Sequence, residues 1–543
     1  MTVAKVPVFQ SSPAALHDVL LQDANGSLAE FKQIIDRRLE SPDVLSQIAV
    51  LSSASVSELP SYSFVRFRAM IQDNGLSPQM FLKSVRLQST NDGSERVVPN
   101  YFIDDVQVPE GFTVVQPSFS HSELDTKQCY FCVNVPAESS WLAPPGTTTP
   151  PPAASASERM PISDSHSIAV VVKVPGEDPQ FKLNETVDFY GILEHPATAC
   201  SDSDNCCEDD FDDFDYQGKL LKQHPCLTVV TYKRNISVLD SIREQAEDVD
   251  AEATCSRIRA YLTDVLQGDE LAADYLLLHT LSKIRNRSQD NLGYFPINLT
   301  NVSPSSLGEE FASTLTAALG ALLPKHHYLP LTLDKLEKGR VVPRLENDRG
   351  LLSGELQLTD GTLLIVDETR MNEGTLKERG LLNLKAIHGL IHNAALFYES
   401  EYTELEQHAD LGIVVLSQGK SLFPIDCVIP VNPSGIAPDA RTQLSEEELA
   451  QARATLLKLR ESEYSVPEDM LSHVQSSIAE FRKLDRESGR GAKTSQDFLR
   501  MLEIARLLSK VSGEVVLTPQ TWERAVEMEK QRLGRIEQLT RRA

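Results

Sequence analysis

The sequence predicts a multi-domain chain of mixed class: a β-rich, barrel-like domain, then an α/β layer domain, then a C-terminal helical bundle. Three observations predict it. Apolar spacing has period two within residues 61–195, helix and strand patterns alternate across 251–440, and 441–543 is helical with its own caps. The length, 543 residues, agrees, since a domain takes roughly 150 residues. At 41% hydrophobic and 24% charged residues, most of the chain has enough apolar surface to fold.

Residues 1–60 read as a helical lead-in. Leu28, Phe31, Ile34, Ile35 and Leu39 have helical spacing, and Ser41-Pro42 ends the helix because proline has no N–H for the ladder. From Ser61 the period becomes two: Phe64, Arg66 and Arg68 interleave with Val65, Phe67 and Ala69, and 128–133 and 168–174 give further strands. Residues 181–193 read as two short strands about an Asn-Glu turn, a pattern common in small closed barrels of the oligonucleotide/oligosaccharide-binding (OB) type. Inside this domain the proline-rich stretch 143–158 cannot build a core and reads as a loop. Residues 196–250 read as an acidic linker and insert, because Asp202, Asp204, Glu208, Asp209, Asp210, Asp212, Asp213 and Asp215 repel one another.

In the α/β domain, 251–440, the spacing predicts helices over 272–284 and 307–323 and strands over 294–299, 362–366 and 411–416. Asp360-Gly361 reads as a hairpin turn. The terminal bundle opens on Leu444-Ser445-Glu446-Glu447-Glu448-Leu449, where Ser445 and Glu448 form a capping box and Leu444 staples to Leu449. Three more helices follow, over 467–484, 495–508 and from Thr518-Pro519.

Composition narrows the function classes. No apolar run approaches the 18 or so residues of a membrane span, and Met1 to Gln10 lacks the pattern of a secretory leader, so neither a membrane nor an export route is expected. Eight scattered cysteines suit reduced thiols rather than a disulfide scaffold. The 78 acidic and 52 basic residues give a net charge of -26, which opposes tight binding to a polyanion, so nucleic-acid binding is expected to be weak or absent. A protein partner is favoured. The competing reading, a single-stranded nucleic-acid binder, would stack bases on Phe64, Phe67, Tyr130 and Phe131 with Arg66 and Arg68 on phosphates.

Leu363-Leu364-Ile365-Val366-Asp367-Glu368 is an aliphatic strand ending in two carboxylates, the Walker B arrangement that places one acid on magnesium and the next near an attacking water. Such strands also occur for purely structural reasons, so a phosphate loop decides, and no G-x-x-x-x-G-K-[ST] occurs. Gly419-Lys420-Ser421 has Val414 where the first glycine belongs and Pro424 where a helix should run. Gly489 to Thr494 has Ala492 in place of the second glycine. Both read as loops. Cys129-x-x-Cys132 lies on a strand, with its side chains on opposite faces. A second ligand pair would have to come from Cys200, Cys206 and Cys207 in the acidic insert, so no metal site is expected. His326-His327 reads as surface in an inter-domain stretch, and no hydrolase elbow or zinc helix is present. No catalytic residue and no cofactor is expected.

Several segments carry a family resemblance: 63–73 (SFVRFRAMIQD), Cys132-x-Val-x-Val-Pro136-x-Glu-Ser-x-Trp141, 181–193, 268–279 (GDELAADYLLLH) and Leu329-Pro330-Leu331-Thr332. Together they resemble the minichromosome maintenance (MCM) complex-binding protein family, with matches spread from about residue 60 onward. The resemblance implies a distant relative of the replicative helicase subunits: an OB-like barrel, a degenerate AAA+-like α/β domain and a helical lid. It places Asn301 to Ser306 where the phosphate loop would stand, without its Gly-Lys-Ser/Thr. It makes residues 354–368 the strand pair that ends in Walker B, 411–419 the following sensor strand, and Gln496 the neighbourhood of the lid's lost arginine. It further implies a nuclear protein that binds MCM subunits, mainly through 251–543, in replication, helicase assembly or unloading, and sister-chromatid cohesion.

Overall fold

A computed structural model describes residues 16, 20, 28–104, 108, 110–115, 123–142, 158–162, 167–196, 216–234, 237–244, 249–287, 291–401, 405–434, 443–487 and 495–542. Most of the proline-rich and acidic segments, Cys200, Cys206, Cys207 and Gly489 to Thr494 lie outside them. The described chain is a mixed α/β assembly with several sheets.

The N-terminal half contains strands β1 (Ala49–Val50), β2 (Phe64–Asp73), β3 (Gln79–Leu82), β4 (Ser84–Ser89), β5 (Glu95–Pro99), β6 (Phe112–Val114), β7 (Leu124–Asn134), β8 (Ala169–Pro175), β9 (Thr186–Glu194) and β10 (Cys226–Lys233). Strands β2, β9, β10, β8 and β7 pair in turn, and β7 pairs back to β2, so the sheet closes on itself. Only β8 and β10 run parallel within that ring. Alternate side chains fill the interior: Val65, Phe67, Ala69 and Ile71 from β2, Val170, Val172 and Val174 from β8, and Leu227 and Val229 from β10. Helix α1 (Leu28–Arg38) covers the outside, with Phe31, Ile35 and Leu39 against Phe64, Tyr190 and Ile192.

The structure corrects two readings here. The ring needs β10, which lies in the 196–250 stretch taken as linker; the acidic run hid a clear apolar strand just after it. Residues 181–193 supply one strand, not two, because Asn184 at φ 65 turns the chain before β9 begins.

One face of the ring holds a buried charge cluster. Lys127 and Lys173, 0% and 2% exposed, share the Asp104 carboxylate, and Glu194 accepts from the Asp104 backbone N–H. Burial and the neighbouring Asp104 push Glu194 up to about 7. A carboxyl raised from its unfolded value of 4.5 favours the fold below that value and loses this contribution as pH rises through 7. Glu194→Gln is therefore expected to raise stability by about 2 kcal/mol at pH 8 relative to its effect at pH 4, read from denaturation midpoints at the two pH values.

The C-terminal half is built on five parallel strands: β11 (Ile297–Thr300), β12 (His326–Pro330), β15 (Leu363–Asp367), β18 (Gly412–Leu416) and β19 (Cys427–Pro430). Their spatial order is β12-β15-β18-β11-β19, so in order of appearance the sheet reads 2-3-4-1-5. Successive side chains on the central strands serve two different cores. Leu363, Ile365, Val414 and Leu416 face helices α2 (Ala251–Val265), α3 (Glu270–Thr280) and α4 (Phe311–Leu322), while Leu364, Val366, Ile413 and Val415 face α5 (Glu378–Asn393). Beside α5 lies a four-stranded sheet, β14-β13-β16-β17, made of β13 (Arg344–Glu346), β14 (Gly350–Leu352), β16 (Ala395–Ser400) and β17 (Leu405–His408).

The hairpin expected at Asp360-Gly361 is elsewhere. It joins β13 to β14, and Gly361, at φ 80, instead turns the chain into β15, whose neighbours are both parallel. The 354–368 strand pair expected from the resemblance is therefore absent. His326 and His327 lie on β12 rather than in a connecting stretch. They are bonded to Ser139 and Glu355.

The terminal helices are α6 (Glu446–Glu461), α7 (Glu468–Glu487), α8 (Ser495–Val511) and α9 (Pro519–Arg542). The Ser445 capping box forms as read. Leu449, Leu456, Ile504, Leu508 and Trp522 join the same core as Leu276 and Ile297, so the helices are packed into the α/β unit rather than standing apart.

Candidate functional site

Ligands of open parallel sheets bind at the carboxyl ends of the strands, where the strand order reverses. Here that edge is formed by the ends of β11, β18 and β15. The loops leaving β11 and β18 are hydrogen-bonded directly to each other. Val302 N–H donates to Ser417 O at 3.0 Å, Thr300 Oγ1 to Gly419 O at 2.8 Å, and Ser417 Oγ to Asn298 Oδ1 at 3.0 Å. One backbone N–H, that of Val302, and two hydroxyls, of Thr300 and Ser417, thus join the two loops to each other. Ser303 starts a single helical turn, Pro304–Leu307, whose proline removes one further N–H.

Asp367 ends β15, fully buried. It accepts hydrogen bonds from Tyr328 Oη at 2.5 Å, Thr369 N–H at 2.9 Å and Thr369 Oγ1 at 2.6 Å. Burial and the bond to Asp367 push the Tyr328 phenol up to about 12, so it stays a donor at neutral pH. Glu368 accepts from Ser421 Oγ at 2.7 Å and from Leu422 N–H at 3.2 Å; burial raises its carboxyl despite these donors. Both carboxylates therefore tie neighbouring protein groups together, Asp367 holding Tyr328 and Thr369 and Glu368 holding the loop at Ser421 and Leu422. Gly419-Lys420-Ser421 is a loop, as read, and Ser421 is the donor to Glu368. Gln496 is exposed near the start of α8. Arg500, one turn later, is committed to Asp497 at 2.6 Å and Glu529 at 3.3 Å.

The residues proposed for base stacking are placed differently from that reading. Phe64, Phe67, Tyr130 and Phe131 are all buried, Phe67 and Tyr130 inside the ring. Arg66 pairs with Asp188 at 2.9 Å and Arg68 with Glu138 at 3.1 Å, each guanidinium largely buried. Cys129 and Cys132 are buried in separate cores, and burial pushes both thiols above their ordinary range. Among the described residues no metal-ligand cluster forms, and no helix is long and apolar enough to cross a membrane.

One constellation carried no assigned role in the sequence. The Pro136 to Trp141 stretch staples the barrel to the edge of the five-stranded sheet. Ala137 O accepts from His326 N–H, Ser139 N–H donates to Pro324 O, and Ser139 Oγ donates to Leu323 O at 2.5 Å. Glu138 forms a bridge with Lys325, and Trp141 Nε1 donates to Gly320 O at 3.0 Å while Arg453 of α6 lies 4.6 Å over its ring. The signal was the dense run of polar residues and a tryptophan just after a strand; what they bind lies some 180 residues further on.

The chain is similar to several mini-chromosome maintenance complex-binding proteins. It is 27% identical to that of Drosophila melanogaster, covering 92% of this chain and 94% of that protein, and 26% identical to that of Arabidopsis thaliana, covering 91% of each. The protein of that name from Danio rerio is 24% identical, with 97% of each chain covered. The model of the mini-chromosome maintenance replisome factor family matches residues 35–155 and 145–536, nearly the whole sequence, and the chain belongs to that family.

Proposed function

We propose that this chain is a non-catalytic partner of the MCM helicase subunits, with the shape of such a subunit and none of its phosphate chemistry. The observation that carries the reading is the seam between the loops after β11 and β18, where Val302 N–H and Thr300 Oγ1 bond to the carbonyls of Ser417 and Gly419. The names of the relatives supply the partner.

The strand order supports an AAA+-like module, since it sets the strands of the phosphate-loop, sensor and Walker B positions side by side with their carboxyl ends on one edge. The closed five-strand ring, with its single parallel pair, supports an OB-type barrel spanning residue 64 to 233 rather than ending at 195. Helices α6 to α9 take the place of the lid. A unit locked in this way makes a contact that does not respond to nucleotide. Ring subunits meet through heterologous faces, so a look-alike can occupy one position and hold neighbours for assembly or unloading. Action in the nucleus, in replication and in sister-chromatid cohesion belongs to this proposal. The single-strand-binding alternative is disfavoured by the buried aromatics and paired arginines.

The test is co-purification of the intact chain with MCM subunits, together with an ATPase assay. Stable association without turnover is expected. ATP hydrolysis abolished by Asp367→Asn, or failure to retain any subunit, would overturn the reading.

A further inference from the structure

Where the barrel meets the α/β unit lies a cleft of about 930 Å³. Thr186 at the start of β9 and Arg234 just after β10 line it from the barrel, and the helix Ser237–Glu244 borders it. Lys325, the Asp360-Gly361 turn and Arg460 of α6 line it from the other half. Among the described residues no aromatic ring lines it, so it offers charge and no stacking platform.

The charges of the cleft are unevenly spent. Glu185 pairs with Arg234 at 3.4 Å, Glu461 with Lys283 at 2.6 Å, and Asp240 with Arg243. Asp360 accepts from the Asp410 N–H at 2.8 Å and Asp410 from the Ile284 N–H at 3.3 Å, while Glu244 is exposed. The cations differ. Among the described residues the Arg460 guanidinium makes no hydrogen bond or ion pair, its Nε is buried, and its Nη1 lies 3.4 Å from where a side chain at Gly361 would begin. Lys325, 3% exposed, is fixed by bonds from Nζ to Thr359 Oγ1 at 2.8 Å and to the Asp360 carbonyl at 2.6 Å. Arg68, whose charge acts on Lys325, pairs with Glu138 at 3.1 Å but keeps Nε and Nη2 buried without an acceptor. Arg66 is already answered by Asp188, and His326, next in the chain, is bonded to Ser139. Buried donors of one sign left unspent mark a missing counter-charge.

We propose that the cleft binds a small, doubly charged oxyanion of the phosphate or sulfate type, seated between Lys325 and Arg460. Two cations match two charges, and a tetrahedral oxyanion has acceptors for both the ammonium and the planar fork of the guanidinium. Because both halves wall the cleft, the bound ion ties the barrel to the α/β unit. Burial, then the charges of Arg68 and Arg460, push the Lys325 ammonium down to about 7, against the pull of Glu138 and Asp360. An anion beside it favours the charged form. Binding therefore takes up a proton above pH 7 and weakens as pH rises through that value.

The probe is sulfate, a dianion at both pH 6 and pH 8, titrated into the intact chain by calorimetry in two buffers of different ionisation enthalpy, with ionic strength held by chloride. Saturable binding is expected, about tenfold tighter at pH 6 than at pH 8, with net proton uptake at pH 8. Inorganic phosphate should displace sulfate, and acetate, with one charge, should not at the same concentration. Arg460→Gln breaks no side-chain bond among the described residues, so it should weaken binding about tenfold and leave the unfolding midpoint in chloride unchanged. Lys325→Met should weaken binding and flatten its pH profile; if it also lowers the midpoint, Arg460→Gln alone decides. Lys338→Gln, at a 78% exposed lysine outside the cleft, is the control and should bind as the parent does. Sulfate binding that is not saturable, that Arg460→Gln leaves unchanged, or that acetate displaces equally well would overturn the site. Saturable binding without proton uptake would overturn the part given to Lys325.

Discussion

Replacing Glu529 with alanine is expected to destabilise the C-terminal half by about 3–5 kcal/mol, the cost of leaving buried cations without their counter-charge. Glu529 is 3% exposed. It accepts from Arg532 Nη2 at 2.8 Å, Arg532 Nε at 3.1 Å, Tyr275 Oη at 3.1 Å and Arg500 Nε at 3.3 Å. Burial opposes its charge, but the two guanidinium groups prevail and hold the carboxyl below its ordinary value. A depressed carboxyl contributes stability above its unfolded pKa and loses it as pH falls through the folded one. The gap between parent and Glu529→Gln should therefore be full at neutral pH and narrow below about pH 4. Hydrogen exchange along α9 checks the location: protection should fall there and hold in the barrel, and uniform loss would refute a local network.

Replacing Trp141 with alanine is the second large effect, expected at about 2–3 kcal/mol for a half-buried indole that also loses a hydrogen bond and a cation–π contact. Its energy is concentrated at the junction of the two halves. Ring contacts among β2, β7, β8, β9 and β10 do not involve Trp141, so barrel exchange rates should change little while β12 and the 323–326 stretch lose protection. Trp141→Phe keeps the stacking against Arg453 and should recover about half of the loss.

Much of this architecture was legible because period and caps are local signals. The Ser445 capping box, the α1 stripe of Phe31 and Ile35, and the buried run ending at Asp367 all appear where the residues placed them. Pairing was less legible. Asp360-Gly361 is a turn in sequence and in structure, but which strands flank a turn depends on parallel partners far along the chain, His326–Pro330 and Gly412–Leu416. Strand β10 was obscured because charge repulsion in the insert before it suggested a linker, whereas its six buried residues are what close the ring. At the candidate site, the lack of a Gly-x-x-x-x-Gly-Lys-Ser/Thr run is plain in the sequence. How the loops there bond to each other is not, since the Thr300–Gly419 and Glu368–Ser421 bonds join residues 119 and 53 positions apart.

Neither outer strand of the five-stranded sheet is left bare. Along β19, Val428 O and Pro430 O accept from Arg532 and Arg535 of α9, and beside β12 the Ala137–Ser139 stretch of the barrel lies against the other edge. During synthesis these two seals close at very different times. Ser139 meets Leu323 only after 184 more residues are made, a delay of about 10–40 s at ordinary elongation rates. The ring itself can close once β10 is made, and from then until Leu323 follows, its polar seam at Ala137 to Ser139 has no partner strand. The β19 edge lacks its cover until α9 is made, Arg532 following Val428 by 104 residues, so the two edges are sealed one after the other rather than together.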